Sequence, residues 1–243
     1  MIQFLKLKSN LNFNIFKMNN MNNGNIYIEG NIGAGKSTFL KLFEDYIAQN
    51  LPDSSVLPEP VEAWENTKDS NGKNILQHYY EDPKKYGFTF QMNAFISRVH
   101  EIEEMRQKNK RYNFVERSVY TDKNVFMLTN YKNNNINEIE HNVYLQWFNI
   151  FTEKFNLKPK AYIYLKTDAQ TCATRIKRRD RTGESGIPIE YLKDLGILHD
   201  IWLAEEKKWG IPVLEVDVSV DYIADNEASR KIFQKILDFV ENC

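Results

Sequence analysis

Asn25-Ile26-Tyr27-Ile28-Glu29-Gly30-Asn31-Ile32-Gly33-Ala34-Gly35-Lys36-Ser37-Thr38 decides the fold. The first five residues read as a strand. Gly30 to Ser37 then fits G-x-x-x-x-G-K-[ST] in full. An amphipathic helix follows, with Phe39, Leu40, Leu42, Phe43, Tyr46 and Ile47 at helical spacing. Glycines permit torsions that gather several N–H groups into one concavity and let the backbone approach oxygens closely. The helix N-terminus adds partial positive charge. Lys36 supplies a cation for the β- and γ-phosphates, and Ser37 offers its hydroxyl to Mg²⁺. The stretch predicts nucleoside triphosphate binding without saying how the triphosphate is used.

Outward from this motif, strands and helices alternate. Val56 to Glu59 reads as a second strand ending in a carboxylate, and the polar stretch 66–74 reads as a loop. Pro83 opens a long helix carrying Phe88, Phe90, Met92, Phe95, Ile96, Val99, Ile102 and Met105. Arg111 to Glu116 is a third strand and Asp122 to Tyr131 a helix. Residues 132–137 are an asparagine-rich loop. Glu138 to Phe155 is another amphipathic helix, with Ile139, Val143, Leu145, Trp147, Phe148 and Phe151. Ala161 to Leu165 is almost wholly apolar, as a strand covered on both faces requires. Helices over 168–178 and 189–209, a fifth strand over 212–216 and a closing helix over 228–240 complete the pattern. The expected fold is α/β: a P-loop NTPase-type parallel sheet of five strands, helices on both faces and a basic lid. Ligands bind beyond the carboxyl ends of such strands.

Composition narrows the function. The chain has 243 residues and a net charge of −1, which argues against nucleic-acid binding by bulk electrostatics. Two cysteines, Cys172 and Cys243, build neither a disulfide framework nor a metal site alone. No apolar run is long enough to span a bilayer, so no membrane partner is expected. Residues 1–24 read as a flexible, asparagine-rich extension to a domain over 25–243. Met1 to Ile28 contains no Asp or Glu and carries Lys6, Lys8 and Lys17. Absence of acid suits a mitochondrial presequence, but absence of arginine does not. A cytoplasmic location is the simpler expectation.

Three constellations carry chemistry. Glu59 sits at a strand end between Pro58 and Pro60, on a stiff backbone. A general base for an alcohol needs such a carboxylate within hydrogen-bond reach, although spacing alone equally suits a surface glutamate in a turn. Glu116-Arg117-Ser118 follows the third strand, where an acid holds Mg²⁺ and an arginine reaches the transferred phosphoryl group. Five cations stand in seven positions from Arg175 to Arg181. Placed after the fourth strand and its helix, they suit a lid closing over phosphates. Trp64, Tyr79, Tyr80, Phe90 and Phe126 read individually as core. Gln91 and Arg98 share a helix face seven residues apart, polar groups on a helix rich in Phe and Met. A glutamine amide both donates to and accepts from a base edge. Asp122 is the candidate partner for Arg98.

Taken together, Gly30 to Thr38, Pro58-Glu59-Pro60-Val61 with Trp64, Phe88-Thr89-Phe90-Gln91, Glu116 to Tyr120 and Gly186 to Leu192 resemble the deoxynucleoside kinases. Order and spacing are similar to the branch of deoxycytidine, deoxyguanosine and deoxyadenosine kinases. The resemblance implies ATP-dependent phosphorylation of a deoxynucleoside 5′-hydroxyl. It implies that Glu59 is the base, that Arg117 contacts the hydroxyl and phosphates, and that Glu116 with Ser37 serves Mg²⁺. It implies that Gly30, Asn31, Ile32, Gly33, Ala34, Gly35, Lys36, Ser37 and Thr38 cradle ATP, with Arg175, Arg179 and Arg181 as lid arginines and Asp221-Tyr222 near the donor's base. Gln91 pairs the substrate base, which Phe90, Phe126 and Trp64 line; Tyr80 and Glu184 hold the 3′-hydroxyl. A homodimer joined through helices is implied as well.

The resemblance also bears on specificity. An arginine and an aspartate at the positions of Arg98 and Asp122 mark the branch that accepts cytosine and purines. Physically, the pair fills the space a thymine methyl needs. Tyr79 departs from the methionine of deoxycytidine kinases, which leaves the ranking of deoxyadenosine, deoxyguanosine and deoxycytidine open. Thr182-Gly183 departs from the acidic or polar residues usual in the lid. The competing readings are a nucleoside monophosphate kinase of the thymidylate type, whose acceptor phosphate Glu59 would repel, and a catalytically inactive structural relative.

Overall fold

The computed structural model describes residues 24–179, 186–219 and 226–243. The expected extension over 1–24 therefore falls outside the described residues, apart from Gly24, which opens the first strand. Elements run β1 (Gly24–Glu29), α1 (Lys36–Asn50), β2 (Ser54–Leu57), α2 (Val61–Asn66), α3 (Ile75–Glu81), α4 (Pro83–Arg106), β3 (Tyr112–Glu116) and α5 (Val119–Thr121). A π-helical stretch (Asp122–Met127) leads into α6 (Leu128–Lys132), followed by α7 (Glu138–Lys154), β4 (Pro159–Lys166), α8 (Ala169–Arg179), α9 (Ile189–Lys208), β5 (Val213–Asp217) and α10 (Asn226–Glu241).

The five strands form one sheet in the order β2-β3-β1-β4-β5, all pairs parallel. β1 is central. Ile28 aligns with Glu116 of β3 on one side and Ile163 of β4 on the other. The chain moves to one side of β1 for β2 and β3 and to the other for β4 and β5, so a crevice opens where the order reverses. The residues after β1 and β3 border that crevice.

Alternation along the strands builds two cores. Ile26, Ile28, Phe114, Ala161, Ile163 and Leu165 face α1 and α10, where Phe39, Phe43, Phe233 and Ile236 pack. Tyr27, Val115, Tyr162 and Tyr164 point the other way, toward α4, α7 and α9. Adjacent strand residues serve opposite faces, so the strands read as continuous apolar runs. In the first core the rings of Phe39 and Phe43 stack at 5.4 Å, and Phe233 meets both from α10. Helices thus cover both faces of the sheet, as the sequence leads one to expect.

Three differences bear on the site. β2 ends at Leu57, so Glu59 lies two residues beyond the strand rather than terminating it. The polar loop over 66–74 is bracketed by the short helices α2 and α3, and a reciprocal Asn74–Gln77 capping box fixes the start of α3. The helix expected over 122–131 already starts at Val119 and takes the wider π winding through Met127, a rare geometry that recurs at functional sites. Some apolar residues assigned to the amphipathic patterns of α4 and α7 are not core. Ile96, Ile139 and Trp147 are between 45 % and 71 % exposed, and so is Ile150, which the pattern did not include. They ride on two helices that pack on each other through Phe95 and Phe151, 5.7 Å apart.

Candidate active site

The phosphate loop is fixed from two sides. Asn31 donates from Nδ2 to Leu192 O (2.7 Å), tying the loop to α9, and accepts from the Ile32 N–H (2.8 Å). Ala34 packs with Cys172, Ile176 and Leu192 beneath α8. Gly33 has φ +78°, and a Cβ there would lie 2.5 Å from Cys172 O, so only glycine fits. Lys36 is buried and donates to Gly30 O (3.1 Å) and Asn31 O (2.8 Å). Burial and the nearby Arg117 charge lower its pKa to about 7, against the opposing pull of Glu116, Glu59 and Glu29.

Beyond the loop, one network joins every charged residue singled out from the sequence around Glu59. Glu59 Oε1 accepts from Arg98 Nη2 and Arg117 Nε, each at 3.1 Å. Arg98 is fully buried and also donates from Nε to Asp122 Oδ2 (3.0 Å) and from Nη1 to Glu116 O (2.8 Å). The Arg98–Asp122 pairing expected from the sequence is therefore present, but the direct link from Arg98 to Glu59 is not one the sequence suggested. Burial opposes ionisation of Glu59, yet the charges of Arg117, Arg98 and Lys36 outweigh it and depress its pKa to about 2. For Asp122 the balance reverses: burial raises its pKa despite Arg98.

Arg117 is held in a strained state. Its φ is +61°, a conformation that costs a non-glycine residue on the order of 1 kcal/mol or more. Its N–H donates to Ile28 O (3.0 Å) and its Nη1 to Gly30 O (2.8 Å), while its guanidinium lies 4.9 Å from the Phe126 ring centre. Beneath it, Glu29 is wholly buried at the end of β1 and accepts from the Thr121 hydroxyl. Burial raises the Glu29 pKa, partly offset by Ser118, Thr121 and Arg117. Glu29 was read from the sequence only as a strand residue.

Ser37 Oγ donates to Glu116 Oε1 (2.8 Å), and Glu116 Oε2 accepts from the Glu59 N–H (3.3 Å). A hydroxyl and a carboxylate side by side at the start of α1 form a hard-oxygen donor set suited to Mg²⁺. Among the described residues no group of three His, Cys, Asp or Glu could hold a metal alone. A cation here would share its coordination with phosphate oxygens and water, as Mg²⁺ does.

These groups line a single cavity of about 960 Å³, near the upper end of the usual range for ligand sites. One part is bounded by Ile32 to Thr38 and by the α8 face of Gln170, Thr171, Thr174, Arg175, Arg178 and Arg179. The other is bounded by Trp64, Tyr79, Tyr80, Phe90, Gln91 and Phe126, and Glu59, Glu116 and Arg117 stand on the wall common to both. Aromatic contacts shape the second part: Trp64 meets Phe90 edge-on at 5.4 Å, and Tyr79 stacks on Phe90 at 4.7 Å. Gln91 Oε1 is buried and finds no partner among the described residues.

Most site residues expected from the sequence line this cavity. Gly30 and Asn31 instead support it from behind through their carbonyls. Arg175 bridges Ala34 O (3.2 Å) and Val218 O (2.7 Å), binding the phosphate loop to the end of β5. Arg181, Glu184, Asp221 and Tyr222, and with them most of the expected lid, lie outside the described residues. Several lining residues were given no site role from the sequence: Thr171 and Thr174 on α8, and Asn133 and Asn135 after α6. The polar i, i+4 stripe on α8 was available as a signal; nothing local marked the asparagines.

Comparison with known proteins agrees with this geometry. The family model "Deoxynucleoside kinase" matches residues 26–241. A probable deoxycytidine kinase of Fowlpox virus is 35 % identical over 217 residues, covering 88 % of this chain and 87 % of the relative. Deoxycytidine kinase of Homo sapiens is 34 % identical over 241 residues, covering 88 % and 90 %. A mitochondrial deoxyguanosine kinase of Xenopus laevis is 28 % identical over 258 residues, covering 96 % of each chain.

Proposed function

The chain belongs to the deoxynucleoside kinase family and is a phosphotransferase, and from that premise we propose that it transfers the γ-phosphoryl group of ATP to the 5′-hydroxyl of a deoxynucleoside, taking purine deoxynucleosides and deoxycytidine in preference to thymidine. The observation that carries the reading is Glu59. It is an ionised carboxylate fixed between two guanidiniums, on the wall between a phosphate loop and an aromatic pocket.

In this reading the nucleoside lies with its 5′-hydroxyl against Glu59 and its base between Phe126 and the Trp64–Phe90 layer, paired to Gln91. The hydroxyl oxygen bonds to the γ-phosphorus, the bond from that phosphorus to the bridging oxygen breaks, and the hydroxyl proton passes to the Glu59 carboxylate. A carboxylate with a pKa of about 2 is a weak base. It receives the proton only as the new O–P bond forms, which suits a loose transition state with little early charge on the nucleophile. Its earlier task is to orient the O–H. Arg117 faces the transferring oxygens, and Lys36 and the α8 arginines face the donor phosphates. Ser37 and Glu116 would hold a Mg²⁺ ion, whose chemistry there would be charge neutralisation.

Arg98 and Asp122 support the exclusion of thymidine, because a buried ion pair occupies the space of a 5-methyl group and cannot shift without leaving a charge unpaired. A monophosphate acceptor is disfavoured, since the Glu59 carboxylate would repel its phosphate. The exposed Ile96, Ile139, Trp147 and Ile150 on α4 and α7 support a homodimer through those helices. No helix among the described residues is long and apolar enough to cross a membrane. Import of the full chain by isolated mitochondria would overturn the cytoplasmic location expected from the sequence.

Turnover of the four natural deoxynucleosides, with dAMP and dTMP alongside, tests the function. A purine deoxynucleoside should be best and thymidine poorest. Thymidine as the best substrate sinks the Arg98–Asp122 argument, and phosphorylation of the monophosphates alone sinks the assignment of the acceptor.

A further inference from the structure

One stripe of α4, made of Gly87, Gln91, Ala94 and Arg98, faces the segment from Asp122 to Asn135. At one end Arg98 meets Asp122 (3.0 Å). At the other, a Cβ on Gly87 would stand 3.2 Å from Asn135 O and 3.6 Å from Asn130 Oδ1. Gln91 lies between the two ends, its amide oxygen without a partner among the described residues. A base paired to Gln91 therefore has a polar wall on each flank.

The second wall is built by residues far apart in sequence. Tyr79 reaches in from α3, its ring stacked on Phe90 with the planes 19° apart. Its hydroxyl donates to Asn130 Oδ1 (3.2 Å) or accepts from Asn130 Nδ2 (3.1 Å). Asn130 has further partners. Its Nδ2 also donates to Phe126 O (3.0 Å), and its Oδ1 also accepts from Asn135 Nδ2 (3.2 Å). Both Tyr79 and Asn130 are buried. The Tyr79 hydroxyl, held by Asn130 and by Tyr191 inside a packed wall, does not move aside cheaply.

The remaining step is the chemistry of a planar base, and it rests on the kinase reading above. If the hydrogen-bonding edge faces Gln91 and the edge bearing the thymine methyl faces Arg98–Asp122, the third edge faces Tyr79–Asn130. That edge carries position 2 of a purine. We propose that Tyr79 is a specificity-determining residue, positioned by Asn130, that rejects a 2-amino group on the base. Adenine presents only a C–H there. Guanine presents an amino group that needs room which the Tyr79 ring, stacked on Phe90, occupies. The enzyme is thus a kinase of deoxyadenosine before deoxyguanosine.

The cleanest probe pair is deoxyadenosine and 2,6-diaminopurine deoxyriboside, which differ only by that amino group. With the full chain, ATP and Mg²⁺, kcat/KM should favour deoxyadenosine by about tenfold or more. In Tyr79→Met the ratio should fall to within about threefold, and Asn130→Leu should move it the same way. Deoxyguanosine should follow the diaminopurine. A wild-type ratio near one with brisk turnover overturns the inference and leaves the kinase reading standing. So does an unchanged ratio in a Tyr79→Met protein that melts like wild type. Phosphorylation of no deoxynucleoside at all overturns the kinase reading, and this inference with it.

Discussion

Replacing Glu59 with Gln keeps the shape of the side chain and removes its charge. In the folded protein Glu59 Oε1 meets Arg98 and Arg117, each at 3.1 Å, and both arginines are nearly inaccessible to water. Breaking a buried ion pair from one side commonly costs about 3–5 kcal/mol. Here the cost is smaller, because Arg98 keeps Asp122 and Glu116 O, and Arg117 keeps Gly30 O. A loss of about 2 kcal/mol follows, or about 4–8 °C in Tm for a domain of this size. The effect on turnover is larger. Loss of a positioned proton acceptor costs about 10²–10⁴ in rate, equivalent to about 3–5 kcal/mol of transition-state stabilisation. The ATP site lies on the far side of Glu116, so the KM for ATP should stay within about threefold of wild type. A coupled ADP-release assay measures both constants, and a melting curve shows that the variant is folded. A folded Glu59→Gln enzyme with kcat within about fivefold of wild type would refute the proton-accepting role, since no proton-transfer effect is that small.

Acid stability carries the same network. The Glu59 pKa in the folded protein, about 2, lies below its ordinary value of 4.5, so its stabilising contribution is complete above about pH 4.5 and is lost as pH falls toward 2. Chemical denaturation of wild type and Glu59→Gln should differ by a constant amount from pH 5 to 8 and converge in strong acid; a difference that grows above pH 5 contradicts this. Lys36, with its pKa lowered to about 7, is half neutral near pH 7 in the free protein. The affinity for ATP should therefore weaken as pH rises from 7 to 9, and Lys36→Gln should flatten that slope in a calorimetric titration. Ile96→Asp combined with Trp147→Glu should yield a monomer by sedimentation while the isolated protomer keeps its fold; an unchanged dimer places the interface elsewhere.

The parts of the site legible in the sequence are those whose geometry is local. The phosphate loop is fixed by spacing, because Gly33 and Lys36 must stand a set number of residues past a strand. Glu116 and Arg117 were readable for the same reason, at the end of a short apolar strand. The helices α2 and α3 were not read, at six and seven residues too short to show a period. The Asn74–Gln77 box was the available clue. The exposed face of α4 was hidden by apolar residues on several sides of the helix, where patterning cannot tell core from contact surface. Tyr79 and Asn130 stand 51 residues apart and meet only because α3 folds back over α4. No local rule links a tyrosine to an asparagine at that distance.

In the proposed reading, Arg98 makes recognition and turnover inseparable. One guanidinium holds both Asp122 and Glu59, which in that reading lie at the base end and the sugar end of the pocket. It is buried, so it has no water to fall back on if either partner shifts. A base that pushes against Asp122 therefore pushes through Arg98 on Glu59. The two carboxylates also respond to burial in opposite senses, Glu59 held ionised and Asp122 drawn toward protonation. Displacing the arginine toward one weakens its hold on the other. The hydroxyl of an ill-fitting nucleoside then meets a carboxylate that is no longer held in line. Because reaction demands alignment within a fraction of an ångström, the wrong base is expected, in the proposed reading, to lower kcat as well as raise KM, with selection exerted on the transition state rather than on binding alone.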